Sequence, residues 1–196
     1  MRLITAAIIL SVLGTTDALA QDMPDKRFEG PSLTVIGGAD GSVSLGDLKV
    51  GALYGGQAGY DWQSGNTVFG VEGEVTGATG SQCFNVYQTG GSVDRACTRR
   101  GRDFYAGGRI GKVLGTSTLL YAKAGYTNTL LSFDYRTGSN GPVSTLGKGT
   151  TDGFRVGVGV EQRLGSNLTL KAEYRYSNYD GAFSRHQTVA GLGFRF

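Results

Sequence analysis

Phe154-Arg155-Val156-Gly157-Val158-Gly159-Val160-Glu161-Gln162-Arg163-Leu164 is the stretch from which this 196-residue chain is best read. Phe154, Val156, Val158, Val160, Gln162 and Leu164 share one side of an extended strand, and Arg155, Gly157, Gly159, Glu161 and Arg163 share the other. Successive strand side chains point to opposite sides, so a period of two with chemically distinct faces predicts a β-strand. After Gly165-Ser166-Asn167 the pattern resumes. Leu168, Leu170, Ala172, Tyr174 and Tyr176 stand against Thr169, Lys171, Glu173, Arg175 and Ser177. The chain closes the same way, with His186, Thr188, Ala190, Leu192, Phe194 and Phe196 against Gln187, Val189, Gly191, Gly193 and Arg195.

Earlier segments repeat the alternation. Tyr54, Gly56, Ala58, Tyr60 and Trp62 form one apolar face; Thr67, Phe69, Val71, Gly73 and Val75 form the next, opposite Glu72 and Glu74. Phe104, Ala106, Gly108 and Ile110 then oppose Asp103 and Arg109, and Leu120, Ala122, Ala124 and Tyr126 oppose Lys123. A first segment, about 32–39, is the weakest, and its register is ambiguous. No segment carries a 3.6-residue stripe. Connections alternate between tight turns (63–66, 115–116, 165–167) and longer links, of which 79–101 and 133–150 are the longest. The reading is all-β: eight strands in an antiparallel up-and-down meander.

Composition narrows the class. Glycine supplies 34 of 196 residues, against about 7% in average usage, without a collagen repeat and with only three prolines. A net charge of +3 with 18% charged residues advertises no polybasic nucleic-acid surface. Two cysteines cannot alone make a cysteine-ligated zinc site, and no metal site or cofactor is expected. Met1-Arg2, the apolar run Leu3 to Leu13 and Ala18-Leu19-Ala20 read as a secretory signal peptide, residues 1–20, cleaved after Ala20. Beyond it no apolar run is long enough for a membrane helix. Residues 21–30 are expected to form a periplasmic N-terminal segment and 31–196 a barrel domain.

The sidedness of the strands decides the rest. The charged face carries Glu72, Glu74, Asp103, Arg109, Lys123, Arg155, Glu161, Arg163, Lys171, Glu173, Arg175 and Arg195, five acids and seven bases, interleaved with glycines. The other face carries aliphatics mid-strand and aromatics such as Trp62, Phe69, Tyr174, Tyr176 and Phe194 near strand ends. An apolar band between aromatic girdles suits a lipid-facing exterior. The charged face then fills a narrow interior, where charges are tolerable only as hydrogen-bonded pairs. A lumen ion-pair network is expected from Glu72, Glu74, Arg109, Lys123, Arg155, Glu161, Arg163, Lys171, Glu173 and Arg175. The alternative is a soluble barrel whose charges face water around an apolar core.

Gly55-Gly56-Gln57-Ala58-Gly59-Tyr60-Asp61-Trp62-Gln63, with Val68-Phe69-Gly70-Val71-Glu72-Gly73-Glu74 after it, resembles the second hairpin of small outer-membrane barrels. These are the opacity-like, porin-family proteins of Gram-negative bacteria, related in architecture to the OmpA membrane domain. Tyr121 to Tyr126 and Leu170 to Tyr176 are similar to later strands of that family. The resemblance covers roughly 30–196 and implies a monomeric eight-stranded transmembrane β-barrel in the outer membrane. It implies a structural surface protein, in some members an adhesin, antigen or haemin binder. The terminal Phe196, in parity with Phe194, resembles the signal read by the barrel assembly machinery. A peptidoglycan-binding domain is not expected after the barrel, so cell-wall tethering is not carried over from the two-domain relatives.

Other candidates keep two readings. Cys83 and Cys97, in one expected loop of an oxidising compartment, read as a disulfide or as two free thiols. Arg95, Arg99, Arg100 and Arg102 in that loop suit lipopolysaccharide phosphates, or simply keep the loop solvated. His186 with Ser184 reads as an interfacial girdle histidine, as part of a lipid A-modifying enzyme, or as a haem ligand. Ser-His chemistry needs a third group to orient the base, and the nearest acid, Asp180, lies across a turn. A small diffusive porin is the remaining alternative.

Overall fold

A strand with one apolar and one charged face leaves its backbone unpaired unless neighbours lie on both edges. In the computed structural model, which describes residues 26–196 apart from 45–46, 80, 88–92, 137–141 and 181–182, that demand closes a ring. The strands among the described residues are β1 (Gly30–Ser44), β2 (Asp47–Ser64), β3 (Thr67–Ala78), β4 (Ser81–Tyr87), β5 (Val93–Leu114), β6 (Thr118–Arg136), β7 (Val143–Arg163), β8 (Leu168–Tyr179) and β9 (Phe183–Arg195). Each pairs antiparallel with its neighbour; β1 joins β9 and β3 joins β5, so eight strands close and only β4 stands outside the ring. The signal-peptide residues lie outside the described residues.

Alternation sets the two surfaces. Arg155, Gly157, Gly159 and Glu161 point inward and Val156 and Val158 outward, and an inward–outward alternation holds on every strand of the ring between the girdles. In β1, Ile36 and Asp40 face in and Leu33 and Val35 face out, which settles the register of the weakest segment. Exterior aromatics gather at two levels: Trp62, Phe69, Phe194 and Phe196 near the tight turns, and Tyr54, Phe104, Tyr126 and Phe154 toward the other end. Phe104 and Leu114 bound ten residue steps of β5, which at the usual rise and tilt span about 25 Å, the height of a lipid-facing band. Two tight turns use left-handed glycines, Gly65 and Gly115.

Over their described residues the expected long loops are mostly strand instead. β5 runs for 22 residues, β6 for 19 and β7 for 21, about twice what a tilted strand needs to cross a bilayer. Their far halves, with β4 on the edge, project past the upper girdle as a ribbon. The physical reason for the misreading is solvent on both sides. Val143–Thr150 is exposed at all eight positions, so it has no apolar face to alternate with and is held by its ladder to β6. An irregularity between Arg100 and Asp103 also turns β5 over. Below it even-numbered residues face out; above it Arg95 and Arg99 are exposed and Asp94 is buried.

Candidate functional site: a charge-matched lumen

Eight strands enclose room for side chains only, and the inward parity delivers ionised ones from all of them. At the end near the tight turns, Asp61, Arg109, Glu161 and Arg195 close a cycle. Arg109 donates from Nε to Asp61 at 2.7 Å and from Nη1 to Glu161 at 3.0 Å; Arg195 donates to the same two acids at 2.8 and 2.9 Å. In the middle, Lys123 Nζ sits 2.7 Å from Glu72 and 2.9 Å from Glu173. Gln57 links Glu72 to Lys171, and the Tyr121 hydroxyl donates to Glu173 at 2.8 Å. Above them Glu74 accepts from Arg155 at 3.0 Å and from Arg175. Nearest the ribbon, Asp103 accepts from Arg155 and Arg185, both at 2.8 Å, and from Thr127 and Tyr179. Arg185 also grips Asp40 at 3.0 and 2.8 Å, and Gln187 donates to the same carboxylate at 3.0 Å.

Among the described residues the buried lumen acids are Asp40, Asp61, Glu72, Glu74, Asp103, Glu161 and Glu173, and the buried bases are Arg109, Lys123, Arg155, Lys171, Arg175, Arg185 and Arg195. Seven face seven. A buried charge left unpaired costs several kcal/mol, so equal numbers in mutual contact are what a closed, ionised interior requires.

Large side chains fit because glycines lie beneath them. A Cβ on Gly159 would stand 2.6 Å from the Tyr121 ring, and one on Gly107 would stand 2.2 Å from the Tyr105 hydroxyl and 2.5 Å from the Ala124 carbonyl. Those glycines admit the rings over which Arg109, Lys123 and Arg155 lie at 5.1, 4.6 and 5.2 Å.

The lower mouth is closed by the chain's own N-terminal turn. Phe28 is fully buried against Val68, Leu119 and Tyr121. Its N–H donates to Gln63 at 2.9 Å, its carbonyl accepts from Arg195 at 2.7 Å, and that guanidinium lies 5.7 Å from its ring. The segment expected to hang in the periplasm therefore places one residue inside the barrel. Lys26 and Glu29 pair at 3.0 Å outside it; that contact first, then the Gln63 N–H, holds the Glu29 carboxyl below its ordinary value.

Of the residues expected to build the network, Glu72, Glu74, Arg109, Lys123, Arg155, Glu161, Lys171, Glu173 and Arg175 lie in it. Arg163 does not take its place there. It ends β7, where the barrel opens, is half-buried, and donates to the turn carbonyl of Gly165 at 3.3 Å. Sequence reasoning missed Asp40, Asp61 and Arg185; extending the parity of Gln57 along β2 and of Gln187 along β9 would have found Asp61 and Arg185, whereas Asp40 shares the inward face of β1 with the apolar Ile36 and carries no such signal. It also missed inward apolar residues, Ile36 with Leu53 and Val189 in one cluster and Val68 with Leu119 in the other.

The remaining candidates fall elsewhere. Cys83 and Cys97 are joined across the β4–β5 pair, with Cα atoms 4.1 Å apart. Arg95 and Arg99 stand on the ribbon, whereas Arg102 lies at the girdle with its guanidinium 5.2 Å from the Phe104 ring; the side chain of Arg100 lies outside the described residues. His186 Nδ1 is 2.7 Å from the Tyr174 hydroxyl and its ring meets Tyr176 at 5.0 Å, while Ser184 pairs in register with Asn178. The imidazole thus sits among girdle aromatics. Phe196 is exposed beside Phe194, and its N–H donates to Pro31 at 3.1 Å. Among the described residues no trio of His, Cys, Asp or Glu is placed to hold a metal ion.

A family model described as an outer membrane protein β-barrel domain matches residues 6–196. A 22 kDa outer membrane protein of Rhizobium leguminosarum bv. viciae is 31% identical over 194 residues, covering 90% of this chain and 83% of that protein. A 31 kDa outer-membrane immunogenic protein of Brucella melitensis biotype 1 is 30% identical over 172 residues, covering 76% and 69%. Among solved structures, Ail, the attachment invasion locus protein of Yersinia pestis, superposes with a TM-score of 0.55 at 16% identity, covering 86% of this chain and 99% of Ail. Neisserial surface protein A gives 0.54 at 17%, covering 86% and 98%. These two likenesses concern the fold.

Proposed function

The chain belongs to the outer membrane protein β-barrel domain family and resides in the outer membrane, and from that premise we propose that it is a non-enzymatic structural and surface-interaction barrel with no large channel. One observation carries the reading: a lumen whose described residues include seven buried acids and seven buried bases in mutual contact, stoppered at one mouth by Phe28. Passing a hydrated solute requires breaking several buried pairs at once, each at a cost of several kcal/mol. Water-filled channels belong to barrels of about sixteen strands or more.

The surface half of the proposal rests on the ribbon. It stands beyond the apolar band, is exposed along β7, and carries Arg95, Arg99, Arg136 and Lys148. Arginine suits the phosphates and acidic sugars of lipopolysaccharide through its paired N–H donors. Outer-membrane lipids and lipopolysaccharide are the partners this supports, with Phe196 offered to the barrel assembly machinery and a monomer as the working unit.

Planar-bilayer recording of the refolded protein tests the closed lumen. The expected result is a baseline current with at most brief openings that pass small ions. Stable conductance of the size given by a trimeric porin would remove the proposal in favour of a diffusive channel.

A further inference from the structure

Two arginines occupy directly opposed positions of the ribbon ladder. Arg95 of β5 is in register with Arg136 of β6, and both are exposed. Like charges facing each other across a strand pair are destabilising, and among the described residues neither arginine meets a carboxylate. The neighbouring acids are engaged. Asp134 holds Arg99 Nε at 2.9 Å and the Thr145 hydroxyl at 2.9 Å, and Asp94, on the other face, accepts from Tyr135.

Both arginines line one cavity of about 150 Å³, together with Cys83, Cys97, Arg99 and Asp134 among others. That is roughly five water volumes, enough for a tetrahedral oxyanion and the first carbon that carries it. The disulfide clamps β4 to β5 at the Cys83–Cys97 register, two residues from Arg95, and so fixes one wall. β6 pairs irregularly with β7 between Phe133 and Asp134, and beyond that point Asp134 is buried while Arg136 is exposed. Ten residues separate it from Tyr126 of the girdle, which puts the cleft on the order of 25 Å above the apolar band. That is the height of surface sugars, well clear of the lipid phosphates at the girdle.

We propose that this cleft binds a phosphate or sulfate monoester carried on a saccharide, with Arg95 and Arg136 gripping the oxyanion from two strands. The inference rests on the surface-interaction reading above and names its ligand chemistry. The opposed charges that weaken the empty ribbon become a two-sided clamp once an anion lies between them.

The test is calorimetric titration of the refolded full chain, in neutral detergent, with a trisulfated disaccharide and with its unsulfated parent. One sulfated molecule is expected to bind per chain, and the parent none. Arg95→Gln and Arg136→Gln should each weaken Kd about tenfold or more, the usual worth of a charge-assisted pair. Arg102→Gln, at the girdle, should leave it within about twofold. Heat-modifiable migration in gels reports that each variant folds, and thermal unfolding of the unliganded variants should be unchanged or raised. No binding by the parent chain, or an equal loss in Arg102→Gln, overturns the proposal. Repeating the titration in lipopolysaccharide discs and in phosphatidylcholine discs identifies the source. Blocked titration in the former marks a membrane-borne sugar, and equal titration marks a free one; both retain the cleft. Failure here leaves the conductance result untouched, and a conducting barrel leaves the titration untouched.

Discussion

Arg155→Met is expected to destabilise the barrel by about 3–5 kcal/mol, the cost of removing one member of a buried ionic cluster. Arg155 is fully buried and touches more of the network than a simple pair would: Glu74 at 3.0 Å, Asp103 at 2.8 Å, Ser177 at 2.8 Å, and the Tyr105 ring. Methionine keeps much of the volume, so the loss is electrostatic rather than a cavity. Glu74 retains Arg175 and Asp103 retains Arg185, yet among the described lumen residues seven acids now face six bases. Equilibrium urea unfolding in phospholipid vesicles, followed through the single tryptophan, Trp62, reads the change. Adding Glu74→Gln restores the balance and should recover at least about half of the loss, a coupling of the size seen for residues in one network. A cost below about 1 kcal/mol for Arg155→Met would mean that water screens the site as it does a surface pair, and the closed lumen would be wrong.

What was legible in the sequence follows from where the two strand faces meet different solvents. Between the girdles one side of β7 meets lipid and the other meets ions, so Val156 and Val158 alternate visibly with Arg155 and Gly157. Past the girdle both sides are wet. Val143–Thr150 then looks like a loop although it is paired residue by residue with β6. The Phe28 stopper was illegible for a different reason. A lone aromatic in a polar leader carries no periodicity, and its partners Gln63, Val68, Leu119 and Arg195 are brought to it only by closure of the ring. The Arg95–Arg136 opposition depends on a register that the irregularity at Arg100–Asp103 shifts, so counting along β5 from the membrane would put the wrong arginines together. Lumen charges could be assigned by parity alone, whereas the pairing among them could not, because Arg109 reaches Asp61 across 48 positions and Arg155 reaches Glu74 across 81.

Val158→Arg separates the two solvents most sharply. Val158 is 57% exposed and Leu146, on the ribbon, is 71% exposed, so by accessibility alone the two positions are equivalent. In water, a charge placed on an exposed strand position shifts stability by about 0.5 kcal/mol or less. Val158 lies midway along β7 between Phe154 and Leu164, in register with Ala122 on one side and Tyr174 on the other, and each of these three residues faces outward. An arginine at the bilayer midplane of such a barrel costs about 2–4 kcal/mol. Val158→Arg should therefore lose that much in the vesicle unfolding assay, while Leu146→Arg stays within about 0.5 kcal/mol of the parent. Equal, small effects at both sites would place water around the whole exterior. The charge-filled lumen would then lose its reason, because a barrel bathed in water gains nothing by turning its arginines and carboxylates inward.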